Sequence, residues 1–309
     1  MSIVVQVIVT GLAAGGIYGL FAVGYSLIYR LTGVVYFAFG DLVAFAVFTT
    51  LLVAAGTGPV SQTSLGLGRF LVGLAVGLVL CIGVGAATYV LFIEPYLLRG
   101  STLGWVASTL AIAFALRGMV GAVFTRPAYV FPDPFHFEGL GRNGIVTIAG
   151  ASVQIRSFFV IGLAAGLAAL AAWALERTRH GRALQAIASD PEAARFVGLP
   201  VETLVALTFG LVGGLAAIAA VAAAPSAPFT VDSGALLGLK GLVAALIVRF
   251  GSPWAAFAAG LGVGLAEAAI DNMGGVGLGP QYGELIPLAF ALGVIAYRSL
   301  RSEPSPSPA

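Results

Sequence analysis

The sequence predicts an all-α polytopic membrane protein with eight or nine transmembrane helices. Composition is the first reason. The chain is 59% hydrophobic and 9% charged, with a mean hydropathy of +1.03, whereas soluble domains carry about 25% charged residues. The second is that apolar runs near the roughly 20 residues needed to cross a bilayer recur along the chain. The third is that arginines gather on alternate connections, as topology-setting charges do.

The runs lie at about 3–29, 34–55, 70–93, 103–124, 157–175, 203–224, 235–249, 254–270 and 284–298. The first lacks a basic leader and is interrupted by Gln6 and Thr10, so it reads as a retained helix and not a cleaved signal peptide. The second opens on Tyr36-Phe37-Ala38-Phe39-Gly40-Asp41, which is polar and bulky for a span start. The seventh is short and contains Lys240, the only lysine, and reads as a broken or re-entrant element. Between the fourth and fifth runs, 126–155 is rich in Pro and Gly and predicts turns or a short surface helix. These runs form one membrane domain over residues 1–301, and the Pro/Ser-rich tail 302–309 is expected to be disordered.

Orientation follows from basic residues in short loops. With nine spans and residues 176–202 inside, inner loops hold nine positive charges and outer loops hold four, namely Arg69, Arg126, Arg142 and Arg156. The N-terminus is then outside and the C-terminus cytoplasmic. On this topology spans 1–4 and 6–9 run in opposite senses, an inverted repeat of the kind that places a pathway between two halves.

The same composition excludes several functions. A net charge of +2 without an aromatic-laced basic patch gives no nucleic-acid surface. A single buried-type cysteine, Cys81, with two histidines, His136 and His180, makes no metal cluster. Both histidines fall in expected loops, and no catalytic constellation is visible, so a membrane enzyme is disfavoured.

One stretch breaks the apolar pattern. Between Glu176 and Glu202, eight charges sit in 27 residues. Asp190-Pro191-Glu192 is a helix start: Asp190 caps, Pro191 suits the first helical position, and Glu192 favours the positive end of the dipole. Gly198 followed by Pro200 stops it. Ala193, Phe196 and Val197 share one face, and upstream Leu184, Ile187 and Ala188 share another. Two short helices with apolar faces need something to bury against, either lipid headgroups or a partner protein.

Glu192-Ala-Ala-x-x-x-Gly198 matches the EAA motif of ABC-importer permeases. The wider run from Gly181 to Leu199, the stretch Gly11–Tyr29 and the stretch Gly238–Pro253 together resemble the branched-chain amino-acid permeases of the Liv type. The resemblance covers roughly residues 8–297 and is closer to the H permease than to the longer M partner. It implies a cytoplasmic coupling helix at the 176–202 loop, with Arg182, Asp190, Glu192, Ala193, Ala194, Phe196 and Gly198 as coupling residues. It also implies a second permease subunit of the M type, two ABC ATPase subunits and an extracytoplasmic substrate-binding protein, in the bacterial inner membrane. ATP and Mg would sit on the ATPases. The chain itself has no Walker A motif, since Lys240 is followed by Gly, and is expected to bind no cofactor or metal directly.

Buried polar groups mark a path through a membrane. Candidates are Tyr18, Tyr25, Ser26, Phe37, Phe39, Gly40, Asp41, Thr109, Lys240 and Glu267. Tyr18, Tyr25 and Tyr29 share one helix face. Arg117 is expected to pair with an acid such as Glu267, and Lys240 to snorkel outward. The family usually has an Asn-Phe-Ala-His-Gly-Glu type segment where this chain has Tyr36–Asp41. That departure predicts a solute with an apolar or aromatic body. An ion-coupled secondary carrier, using Asp41 and Glu267, and a urea or short-amide permease of the same family remain as alternatives.

Overall fold

The computed structural model describes residues 2–56, 66–99, 102–131, 144–148, 151–226 and 228–272, with 289 and 293 in isolation. The long helices are α1 (Ser2–Thr32), α3 (Leu67–Thr88), α5 (Thr102–Val123), α6 (Ile155–Arg177), α9 (Val201–Ala223) and α11 (Pro253–Asn272). Each of these six, α3 together with the turns that follow it, is long and apolar enough to cross a membrane. Two apolar helices are shorter, α2 (Phe39–Ala55) and α10 (Ser233–Ile247). These are the second and seventh runs, the two whose sequences were irregular. The expected ninth span, most of the 271–283 loop and the tail 302–309 lie outside the described residues.

Helix α3 continues through a π-helical turn, Tyr89–Ile93, into α4 (Glu94–Leu98). The distortion falls just before Pro95, which has no N–H for the ladder. Within the 126–155 connection, where turns or a short surface helix were expected, the described residues include a hairpin, β1 (Ile145–Ile148) paired antiparallel with β2 (Ala151–Gln154); residues 132–143 lie outside the described set. An isolated bridge also joins Tyr129 to Phe229. On the polar island stand α7 (Arg179–Ser189) and α8 (Pro191–Phe196).

Helices α1, α2 and α9 form the centre, where nearly every face is buried. Helices α3, α5 and α6 are covered on one side only, as helices facing lipid are. Small residues set the closest contacts. A Cβ on Gly260 would strike the backbone of Gly19, and one on Gly264 the backbone of Gly15. The glycine pairs of α1 and α11 therefore face one another. By contrast, Gly162 and Gly166 face open space, so that repeat packs against nothing described.

An aromatic cluster locks the middle. Phe39 meets Phe21 and Tyr25 edge-on at ring-centroid distances of 5.1 and 5.0 Å, and Tyr36 joins it to Phe209. Such pairs add about 0.5–1.5 kcal/mol each beyond burial. A second cluster, Phe48, Phe124, Tyr129 and Phe229, closes the end of the bundle opposite the island.

Candidate functional site

Local chemistry shapes the island as its sequence suggests. Thr178 caps α7 by accepting from Gly181 N at 3.0 Å. Gly181 lies so near the end of α6 that a Cβ would strike the carbonyls of Ala174 and Leu175. The buried face of α7 carries Ile187, fully enclosed, beside Leu184 and Ala188. Asp190 then caps α8, its Oδ1 accepting from Glu192 N and Ala193 N, both at 3.0 Å. Helix α8 ends in a Schellman closure: Leu199 N donates to Ala194 O at 3.1 Å and Gly198 N to Arg195 O at 2.9 Å. Gly198 has φ +87°, a conformation costly for any residue with a Cβ.

Of the coupling candidates, Ala194 turns inward, while Arg182, Asp190, Glu192, Ala193, Phe196 and Gly198 are exposed. Phe196 is 90% exposed and Val197 83%. The α8 face expected to be apolar is thus displayed outward on a short, doubly capped helix. Arg195 pairs with Glu202 at 2.9 Å and ties α8 to the start of α9.

Two charge clusters lie within the helices, and both correct the expected pairing. Arg117 does not meet Glu267. It holds Asp41 on α2 at 3.1 Å and Asp232, just before α10, at 3.3 Å. Lys240 does not snorkel away. Its ammonium binds Glu267 Oε1 at 2.6 Å and donates to the Tyr18 hydroxyl at 3.3 Å. Asp41 and Glu267 are therefore both ion-paired. The shared tyrosine face packs along α10 and the turn after it: Tyr18 meets Lys240, the Tyr25 hydroxyl lies beside Gly238, and Tyr29 stacks on Phe250 at 4.0 Å.

Helices α2 and α10 cross at their first turns. A Cβ on Gly40 would strike the Gly234 carbonyl and come within 3.0 Å of Gly238 Cα, while one on Gly234 would strike Ala44. Residues 40 and 44 thus meet 238 and 234, so the helices run antiparallel away from a shared N-terminal crossing. Arg117 pins that crossing through one aspartate from each side. Asp232 was absent from the sequence candidates. Its signal was Arg117 itself, because an intramembrane arginine requires acids.

Several expected path residues are enclosed in this structure. Phe39, Tyr25, Ser26 and Thr109 are buried within the chain, and Gly40 and Asp41 are enclosed at the crossing. Phe39, expected to shape a solute path, is fully buried in the aromatic cluster. Phe37 is 38% exposed at the turn before α2. A cavity of about 550 Å³ opens at the end opposite the island, between the N-terminal half of α1, β2, the start of α6, the end of α9 and α10. Of the path candidates only Lys240 lines it. No group of three metal-ligating side chains occurs among the described residues.

A family model described as branched-chain amino acid transport system, permease component, matches residues 7–295. The high-affinity branched-chain amino acid transport system permease protein BraD of Pseudomonas aeruginosa is 27% identical, covering 95% of this chain and 93% of that protein. LivH of Escherichia coli, a permease protein of the same description, is 26% identical over 94% of this chain and 92% of its own. Among solved structures, a metal-chelate type ABC transporter in an inward-facing conformation superposes with a TM-score of 0.53 at 14% identity. It covers 95% of this chain and 87% of that one, and shows a shared permease fold.

Proposed function

The chain belongs to the branched-chain amino acid transport permease family, and from that premise we propose that it imports a small amino-acid-like solute with an apolar or aromatic body. It is a multi-pass membrane permease subunit of an ABC transporter, not an enzyme. Import proceeds by alternating access, with the energy drawn from two separate ATPase subunits that hold ATP and Mg. A second permease of the Liv M type and an extracytoplasmic binding protein complete the assembly in the bacterial inner membrane. The N-terminus lies outside, the C-terminus and the island lie in the cytoplasm, and the 1–301 domain crosses the membrane eight or nine times. The antiparallel crossing of α2 and α10, each the second span of its half, supports an inverted repeat.

The observation that carries this reading is the outward display of Phe196 and Val197 on α8. Two large apolar side chains exposed on a water-side helix cost hydration unless a partner covers them. Asp190, Glu192 and Gly198 fix the helix. Ala193 lies on its displayed face, and Arg182 is exposed on the adjoining α7. The test is coexpression with the ATPase subunits. Phe196→Asp should assemble in the membrane but retain at least tenfold less ATPase on affinity purification, with uptake reduced alongside. Retention and uptake equal to the unsubstituted chain would remove α8 from the coupling interface.

A further inference from the structure

A second recess, of about 140 Å³, lies on the island side of the bundle, between the last turns of α1 and α6, helix α7 and the start of α11. Its floor is aliphatic, with Leu27, Leu31, Leu175 and Leu184 buried or half-buried. Its rim is polar, with Arg30, Glu176, Gln185 and Ser252 exposed.

Two tryptophans fix its depth. Trp173, 57% exposed, comes two residues before Leu175, and Trp254, 50% exposed, directly follows Pro253 on the recess wall. Exposed tryptophans gather where headgroups meet hydrocarbon. The recess therefore sits at the inner boundary of the bilayer, not in open cytoplasm. Helix α7 covers it as an interfacial helix would, with Leu184 inward and Arg179, His180 and Arg182 exposed. At about 140 Å³ it is smaller than the roughly 300–1,000 Å³ of sites that enclose a whole small molecule. It suits one part of a larger molecule whose remainder lies in the bilayer.

The rim selects the head of that molecule. Arg30 and Glu176 are paired neither with each other nor with any other charge among the described residues. Ser252 Oγ accepts from Ala255 N at 3.3 Å, which leaves its hydroxyl proton to donate. Gln185 Nε2 donates to Leu175 O at 2.9 Å, which leaves its Oε1 to accept. Two donors, Arg30 and Ser252, thus suit a phosphate, and two acceptors, Glu176 and Gln185, suit an ammonium. A purely anionic headgroup would leave Glu176 facing negative charge. A choline headgroup has no N–H to donate.

We propose that this recess is a phospholipid site specific for phosphatidylethanolamine, with Arg30 and Ser252 on the phosphate, Glu176 and Gln185 on the primary ammonium, and the upper acyl chain on the leucine floor. Seated there, the lipid bridges α7 to α1 and α11. The assignment requires only that α7 lies at the membrane surface, and it is independent of the solute carried.

The experiment uses the full chain in nanodiscs of equal phosphatidylethanolamine, phosphatidylglycerol and phosphatidylcholine with matched acyl chains. Lipid retained after release into mild detergent is read by native mass spectrometry. The unsubstituted chain should retain phosphatidylethanolamine at least fivefold over each of the others. Equal retention of the ethanolamine and choline lipids, or phosphatidylglycerol retained as well as either, overturns the proposal without recourse to any variant. Arg30→Gln and Glu176→Gln should each lower phosphatidylethanolamine retention at least fivefold, and Ala188→Phe, which fills the recess, should remove it. Arg99→Gln, an exposed arginine on the same side of the bundle and outside the recess, should change nothing. Thermal unfolding of all four in phosphatidylcholine discs should coincide with the unsubstituted chain, which separates a lost site from a lost fold. Equal loss in Arg99→Gln would mean diffuse surface charge and no site. Displacement of the lipid by added ATPase subunits, with the recess variants losing ATPase retention instead, would mean that a protein occupies the recess and would equally overturn the proposal.

Discussion

Helices α8 and α10 are both short, both start beside an aspartate and both follow an irregular link, yet they are held in opposite ways. Helix α8 is secured by its own neighbours in sequence: Asp190 at one end, Gly198 and Leu199 at the other. Its large apolar residues, Phe196 and Val197 after it, face outward. Helix α10 has no side-chain cap from Asp232, whose carboxylate instead binds Arg117 more than 100 residues earlier. It is secured by Gly40, Phe21, Tyr18 and Glu267, all from other helices. A locally held helix can move as a unit against the bundle, which suits an element that transmits force. A helix held from all sides moves only if the bundle rearranges, which suits the wall of a path.

The largest effect should come from breaking the α10 crossing. Gly40→Ala places a methyl group into the Gly234 carbonyl and against Gly238, where only backbone is available to yield. Overpacking of this kind typically costs 1–3 kcal/mol, and more where backbone must shift; about 3 kcal/mol is expected here. Membrane yield and monodispersity on size-exclusion chromatography should collapse. Gly162→Ala on α6, where the added methyl meets nothing within 4 Å, should change neither. Equal tolerance of both would show that the crossing is looser than its geometry.

Next in size is the Arg117 cluster. Asp41 is 4% exposed, so Arg117→Met strands a buried carboxylate. Breaking a buried pair costs about 3–5 kcal/mol. A value near the lower end, about 3 kcal/mol, is expected because Arg117 keeps 31% of its side chain exposed. Detergent thermal unfolding should show the loss, and Arg117→Met/Asp41→Asn should recover most of it. If the double variant is as unstable as the single, Asp232 and not Asp41 is the partner that matters.

The contrast also explains what could be read from the chain alone. Asp190, Pro191 and Gly198 announce α8 because capping, a fixed proline φ and a left-handed stop act over three or four residues. The six long helices were equally visible, since a continuous apolar run needs no partner to be recognised. The irregularity of the second and seventh runs was visible as well, in Tyr36–Asp41 and Lys240. What those irregular residues touch was not. Arg117 could be assigned to Glu267 or Asp41 with equal sense from sequence, because pairing across 76 residues depends on helix packing. Phe39 carried the same ambiguity: an aromatic replacing a polar residue can line a path or fill a core. In the structure its ring is buried beside Phe21 and Tyr25, in room left by Gly24.

The smallest effect tests the other half of the comparison. If α8 is held by its own caps, removing one should loosen that helix and leave the bundle untouched. Asp190→Ala deletes both side-chain bonds to the first turn, a change that typically costs about 1 kcal/mol of helix stability. Asp190→Ser keeps an acceptor at the cap and should cost only a fraction of that. Global thermal unfolding should not separate the two variants. Amide exchange over residues 191–198 should, with several-fold faster exchange in Asp190→Ala, and ATPase stimulation by substrate-loaded binding protein should fall by a similar factor. A lowered global melting temperature with unchanged local exchange would mean that α8 is braced by the bundle after all, and the distinction between a mobile coupling element and a fixed wall would be lost.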